Sequence, residues 1–255
     1  VGVGAAGGVP HGLGASRRFW DLVADESDGY QGVAPDLLGF GRSPHPGHAS
    51  YDVATHLAAL EPLVADGAIV VGHSTGSILA AAFAAAHPEK VAALLLVSLP
   101  AYPDLAHARR DVAGLGAMAR WTVNASPLGV ISCWLMCRMR PLLLPVAPLV
   151  SRDVPASVTS DFLLHDWASY SGTLREVVVG HRVEPDLAAI AMPVMLLHGS
   201  DDHTAPLDDV EHLVERLRQQ GRLVELRIIE TDHLLPVRVP AAVAAALLDL
   251  LRTTA

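Results

Sequence analysis

The sequence predicts an α/β domain, a mostly parallel sheet covered by helices on both faces. Three observations predict it. Short, mainly apolar runs recur at 68–72, 91–97, 192–198 and 223–229. Such runs, apolar without alternation, are strands buried on both sides. Helical patterns separate them, and the pattern strand, helix, strand is that of a parallel sheet. Finally, Gly72-His73-Ser74-Thr75-Gly76 joins one of these strands directly to an Ala-rich helix.

Along the chain, 16–24 reads as a short helix with Phe19, Trp20 and Val23 on its apolar side. A short strand is expected at 31–35, then a Gly/Pro-rich loop over 36–46. Ser50 can cap a helix over 51–65, with Val53, Leu57, Leu60 and Leu63 on one face. The helix after the Ser74 turn spans 75–87 and ends before Pro88. A helix over 207–220 has Asp208 and Asp209 at its start and Gly221 past its end. Pro240 opens a last helix to 251. The stretch 102–185 breaks this rhythm and holds three of the four Trp. It reads as an inserted, mainly helical cap, which leaves 1–101 and 186–255 as the core.

The 255 residues suffice for one buried core. Apolar residues at 51% against 18% charged exclude a disordered chain. A net charge of −9, with no Lys/Arg cluster, argues against a nucleic-acid partner. Cys133 and Cys137 are too few for a disulfide scaffold and read as two small buried hydrophobes sharing a helix face. The longest apolar stretch, 127–150, is interrupted by Arg138, Arg140 and three prolines, so no stable membrane insertion is expected. The expectation is a soluble, cytoplasmic protein with a small-molecule substrate; oligomeric state is not legible.

The chemistry concentrates at Ser74. The pattern G-x-S-x-G between a buried strand and a helix is a nucleophile elbow. The turn is sharp, so its flanking positions tolerate little side chain. It lifts the hydroxyl to the top of the sheet, above a helix N-terminus that favours developing negative charge. The backbone N–H of Thr75 becomes an oxyanion donor. A serine hydroxyl needs a histidine base, and the base needs an acid to orient it. Candidates follow in the order acid, then histidine. The strand over 192–198 runs into a turn carrying Asp201 and Asp202, and the strand over 223–229 leads to Asp232 and His233. Both lie at carboxyl ends of strands, where open α/β sheets hold ligands.

These pieces, with His11-Gly12 and the loop over 36–43, run in one order over nearly the whole chain outside the cap, and so does the stretch from Asp232 to Pro240. The chain resembles the cap-bearing, serine-nucleophile branch of the α/β-hydrolase fold family. The resemblance implies Ser74 as nucleophile, Asp202 as acid and His233 as base, and the N–H of Leu13 as second oxyanion donor. Its acid stands three residues after the strand-end glycine, here Gly199, and four before the proline, here Pro206. It implies ester hydrolysis without cofactor or metal. Lactone or carbon–carbon cleavage and acyl transfer use similar chemistry, and a ligand receptor on the same fold is the alternative of another class. An aspartate-nucleophile reaction is disfavoured because position 74 is serine. The chain departs from the family at its start. The opening reads as lacking the leading strands, with a degraded third strand before His11.

Weaker signals have plainer readings. Gly2 to Gly7 spells G-x-G-x-x-G, but no strand precedes it and no helix opens from it. His45, His48, His107, His165 and His181 are expected on the surface or in loops, and His73 in packing. No ligand role is expected for His203. Asp36 is expected to brace its own loop. Among Trp121, Trp134, Leu135, Met136, Met139 and Leu142 to Leu144, some are expected to line an apolar substrate pocket and the rest to form cap core.

Overall fold

A computed structural model describes residues 10–27, 32–146 and 154–254. Among these residues the sheet has four strands, β1 (Ala68–His73), β2 (Val91–Val97), β3 (Val194–Gly199) and β4 (Val224–Ile229), in that spatial order and all parallel. The four apolar runs of the sequence are these four strands. Helix Thr75–Ala86 links β1 to β2, and helix Leu207–Gln219 links β3 to β4.

Alternation along the strands divides the core in two. Val70, Leu94, Leu96, Val194 and Leu196 face a layer formed by helices Val53–Leu60, Thr75–Ala86, Val183–Ala189 and Leu207–Gln219. Ile69, Val71, Leu95, Val97, Met195 and Leu197 face helix Pro240–Thr254 and the short helix Asp21–Asp25. This two-residue period, with both sides covered, is why β1 to β3 read as unbroken apolar runs, while β4 at the sheet edge carries Glu225 and Arg227.

Three local expectations need correction. Residues 32–35 form no strand, only an isolated bridge at Val33. Pro35 cannot donate to a ladder, and Val33 is exposed. Asp52, not Ser50, caps the next helix, accepting from Thr55 N at 2.8 Å. That helix ends at Leu60, and a 3-10 turn Glu61–Leu63 containing Pro62 rotates Leu63 into solvent.

The stretch between β2 and β3 is helical, with Leu105–Gly114, Ala117–Val123, Pro127–Leu143, Ala156–Asp161 and Trp167–Thr173, then a π-helical turn Leu174–Val179. Cys133 is buried and Cys137 half-buried, and both are free thiols. No helix among the described residues is long and apolar enough to cross a membrane. The Gly2–Gly7 pattern and the degraded third strand lie outside the described residues.

Candidate active site

The carboxyl ends of β1, β3 and β4 gather the residues singled out in the sequence. Ser74 follows β1 with φ 55° and ψ −119°, a left-handed backbone unusual for a side chain with a Cβ. The turn is held by Ser74 N, which donates to Val97 O at 2.9 Å, and by Ser77 Oγ, which donates to Gly72 O at 2.8 Å. The two glycines of the pentapeptide are sterically required. A Cβ on Gly72 would overlap the Gly76 carbonyl, and one on Gly76 would overlap the carbonyl of Pro10.

His233 reaches Ser74 from beyond β4. Its Nε2 stands 2.9 Å from Ser74 Oγ, and its Nδ1 stands 2.8 Å from Asp202 Oδ2 and 3.0 Å from Oδ1. An ionised carboxylate only accepts, so Nδ1 carries the proton and Nε2 is left to accept from the serine hydroxyl. Asp202 is buried, while its neighbours Asp201 and His203 are exposed. Asp202 Oδ1 also accepts from Thr204 N at 2.9 Å and Ala205 N at 2.8 Å. Burial pushes its carboxyl pKa up, but the hydrogen bond and charge of His233 and the Ala205 amide outweigh it, and the net direction is down.

Beside the elbow lies the turn that begins at Pro10. His73 N donates to Pro10 O at 3.2 Å, which docks this segment against the end of β1. His11 is fully buried. Its Nε2 accepts from Leu37 N at 2.9 Å, so its Nδ1 carries the proton and donates to Gly12 O at 2.8 Å. Burial drives its pKa down to about 4, keeping it neutral. The Gly12 carbonyl and the Leu13 amide belong to one trans peptide and point in opposite directions. The bond from His11 therefore fixes where the Leu13 N–H points.

His73 was expected merely to pack, and it does more. Its Nε2 donates to the carbonyl of His233 at 2.8 Å, an oxygen that also accepts from Ser98 Oγ at 3.2 Å. Its ring lies 4.5 Å from that of Phe19, and a Cβ on Gly12 would come within 2.9 Å of its Nδ1. Burial, then the neighbouring His233, drive its pKa down to about 3. The position was visible in the sequence as the first x of G-x-S-x-G, but nothing there marks its partner 160 residues away.

A cleft of about 210 Å³ opens on Ser74 and His233, walled by Leu13, Phe19, Phe162, Tyr170 and Leu234 among others. None of Trp121, Trp134, Leu135, Met136, Met139 or Leu142 to Leu144 lines it. Four of these, Trp134, Leu135, Met139 and Leu142, are exposed instead, on the outer side of helix Pro127–Leu143. Phe162 and Tyr170 supply the apolar wall, and their sequence surroundings carry no periodic pattern that would have singled them out.

The remaining histidines divide. His45 and His48 are exposed as expected. His165 is buried, stacked on Tyr170 at 5.1 Å, because its loop is pinned to Phe40 by a bridge. His181 is half-buried against Asp186 at 2.6 Å. His107 lies on a helix, with Nε2 3.0 Å from Asp111 and 3.1 Å from Asp209, in a group with metal-ligand spacing. Asp209 Oδ2 in this group has no hydrogen-bond partner, and burial raises the carboxyl pKa of Asp209. Asp36 braces its loop, accepting from Arg17 N at 2.7 Å and Arg42 N at 2.9 Å.

A sequence profile described as the alpha/beta hydrolase family matches residues 9–246. The chain belongs to the α/β hydrolase family. Among curated proteins, this α/β hydrolase is 26% identical to "Probable lysophospholipase BODYGUARD 3" of Arabidopsis thaliana, over 88% of this chain and 51% of that protein. It is 25% identical to "Lipase 3" of Moraxella sp. (strain TA144), over 84% and 67%. The chain spans about half the length of several plant relatives it matches. Among solved structures, an esterase from Thermogutta terrifontis superposes with a TM-score of 0.70 at 22% identity, covering 100% of this chain and 92% of that one, which shows the shared fold.

Proposed function

We propose that this α/β hydrolase cleaves apolar carboxylic esters through an acyl-enzyme, with Ser74 as nucleophile. The observation that supports this best is the hydrogen-bonded series Asp202, His233, Ser74, at 2.8 and 2.9 Å, on a left-handed elbow. His233 Nε2 takes the Ser74 proton as Oγ attacks the ester carbonyl, and returns it to the departing alcohol. Asp202 holds the imidazole in the required tautomer and stabilises the imidazolium. The amides of Leu13 and Thr75 receive the oxyanion, the second aided by the dipole of helix Thr75–Ala86. A water then enters, His233 deprotonates it, and the acid leaves. The apolar walls of the cleft suit a hydrocarbon acyl or alkyl group. The relatives' names, a lysophospholipase and a lipase, point to the same substrate class. On this reading the helical stretch 102–185 is a cap inserted into a core of 1–101 and 186–255, and its residues Phe162 and Tyr170 shape the acyl site.

The test is a series of soluble aryl esters of rising acyl length, run on the wild type and Ser74→Ala. The variant should lose several orders of magnitude in kcat and all labelling by a fluorophosphonate, with its melting curve unchanged. Labelling that persists in Ser74→Ala would overturn the assignment.

A further inference from the structure

Helix Pro127–Leu143 turns a continuous apolar face to solvent. Leu128, Ile131, Trp134, Leu135, Met139 and Leu142 project from one side, with Trp134 64% exposed, Ile131 57% and Leu142 66%. At 100° per residue they span about 140° of the helix surface, with Arg138 inside the stripe. Exposed large side chains scattered singly need no explanation, but a contiguous stripe does.

The orientation of this face is fixed from behind. Gly129 is pressed onto Trp167, where a Cβ would come within 2.7 Å of the indole. Cys133 is buried, and Arg140 Nη2 donates to His165 O at 2.8 Å. The helix cannot roll to bury the stripe without breaking these contacts. His165 in turn stacks on Tyr170, which lines the cleft over Ser74.

Charge identifies what the face meets. From Val112 to Arg152 the sequence contains no Asp or Glu and four arginines, at 120, 138, 140 and 152. The whole chain carries −9. This acid-free stretch of an acidic protein contains the helix with the exposed apolar stripe. Hydrophobic residues with an interfacial tryptophan and flanking arginines are the composition of a helix lying in the headgroup region of a bilayer. A protein partner would need only the apolar stripe. The absence of acids matches an anionic surface, and Arg120 and Arg138 are exposed to meet one, while Arg140 is turned back onto His165. At 17 residues with Arg138 and Arg140 inside, the helix is too short and too charged to span a bilayer.

We propose that the outer face of helix Pro127–Leu143 docks this protein on anionic lipid bilayers. The docked helix rests, through His165 and Tyr170, on the wall of the cleft. Delivery of a lipid ester from the bilayer to Ser74 follows if the ester-hydrolase reading above holds, whereas docking itself requires no turnover.

The experiment is co-sedimentation with vesicles of phosphatidylcholine alone and of phosphatidylcholine carrying phosphatidylglycerol, with tryptophan emission recorded in parallel. Wild type is expected to sediment with the anionic vesicles, its emission shifting to the blue, and to do so more weakly at high salt. The double variant Ile131→Glu/Leu135→Glu should lose at least tenfold in partition, and Trp134→Ala should lose the blue shift. Arg138→Glu should weaken anionic binding about fivefold or more and leave the weak binding to phosphatidylcholine unchanged. All variants should keep wild-type melting and wild-type turnover of a soluble short-chain ester. Wild type left in the supernatant at low salt overturns the proposal, as does a double variant that binds equally. A wild-type dimer that the double variant dissociates, with no vesicle binding, assigns the face to a second copy and also overturns it. Ser74→Ala should bind vesicles as wild type does. Binding without any ester turnover would remove the hydrolase reading and leave docking standing.

Discussion

Replacing Asp202 by Asn tests the site through a tautomer, and the outcome can be worked from the hydrogen bonds. Asp202 Oδ1 accepts from two backbone amides, Thr204 N at 2.9 Å and Ala205 N at 2.8 Å. Neither donor can reverse its role, so in Asp202→Asn the amide oxygen must occupy the Oδ1 position. The NH2 group then falls where Oδ2 stood, 2.8 Å from His233 Nδ1. It donates to Nδ1, which can accept only if the ring proton moves to Nε2. Nε2–H then faces Ser74 Oγ at 2.9 Å and cannot take its proton. The same substitution in the chymotrypsin-type triad costs about 10⁴ in kcat by this route, equivalent to about 5.5 kcal/mol. We expect a loss of that order here, with KM little changed, because the fold around the side chain keeps its shape. The exposed neighbour serves as control, and Asp201→Asn should change kcat less than about tenfold. Steady-state hydrolysis of one soluble ester at neutral pH, with melting curves for both variants, decides it. An Asp202→Asn enzyme within tenfold of wild type would refute the tautomer argument, and a crippled Asp201→Asn would move the acid by one residue.

Acid sensitivity follows from the buried histidines. Burial lowers His11, His56 and His165 from 6.5 to about 4, and His73 to about 3. The unfolded chain therefore binds more protons than the folded one from about pH 6.5 down to about 4. Their stabilising effect is complete above 6.5 and is lost as pH falls, at about 1.4 kcal/mol per pH unit for each group. The melting temperature should drop steeply between pH 6.5 and 4.5, and a flat profile there would contradict the neutral state assigned to these rings. Gly76→Ala drives a Cβ into the Pro10 carbonyl and should cost about 3 kcal/mol in denaturant unfolding, whereas Gly47→Ala, with nothing within 4 Å, should stay within about 0.5 kcal/mol of wild type.

The parts of this molecule legible in its sequence are those governed by local rules. A strand buried on both sides must be apolar throughout, and β1 to β3 announce themselves that way. The elbow is legible because Gly72 and Gly76 each face a backbone carbonyl, so the glycines are a signature of geometry. Only the family resemblance separates Asp202 from Asp201, through its place between Gly199 and Pro206, and Asp202 is the buried one of the pair. The short stretch after residue 31 misled because a β-like composition does not supply the missing donor of Pro35. The cleft walls misled for a different reason. Apolar composition alone suggests inward-facing side chains, yet Trp134 and Leu142 point out while Phe162 and Tyr170 line the cleft. Which side of a helix in the 102–185 stretch faces the catalytic residues depends on how it is docked, by Gly129 on Trp167 and Arg140 on His165, and no periodicity encodes that.

The His73 ring touches three regions far apart in the chain. It follows Gly72 and precedes Ser74, it bonds the His233 carbonyl, and it backs onto Gly12. In most folded proteins the relative placement of three such segments is the accumulated result of many packing contacts, each with its own slack. Here the spacing between His233 and the Gly12–Leu13 turn is gauged by the width of one rigid imidazole, as two machined parts are set by a common shim. Thermal breathing of the sheet would then carry the two segments together and leave the gap between them nearly constant. On the ester-hydrolase reading, core substitutions away from His73 are then expected to lower the melting temperature more than they lower kcat.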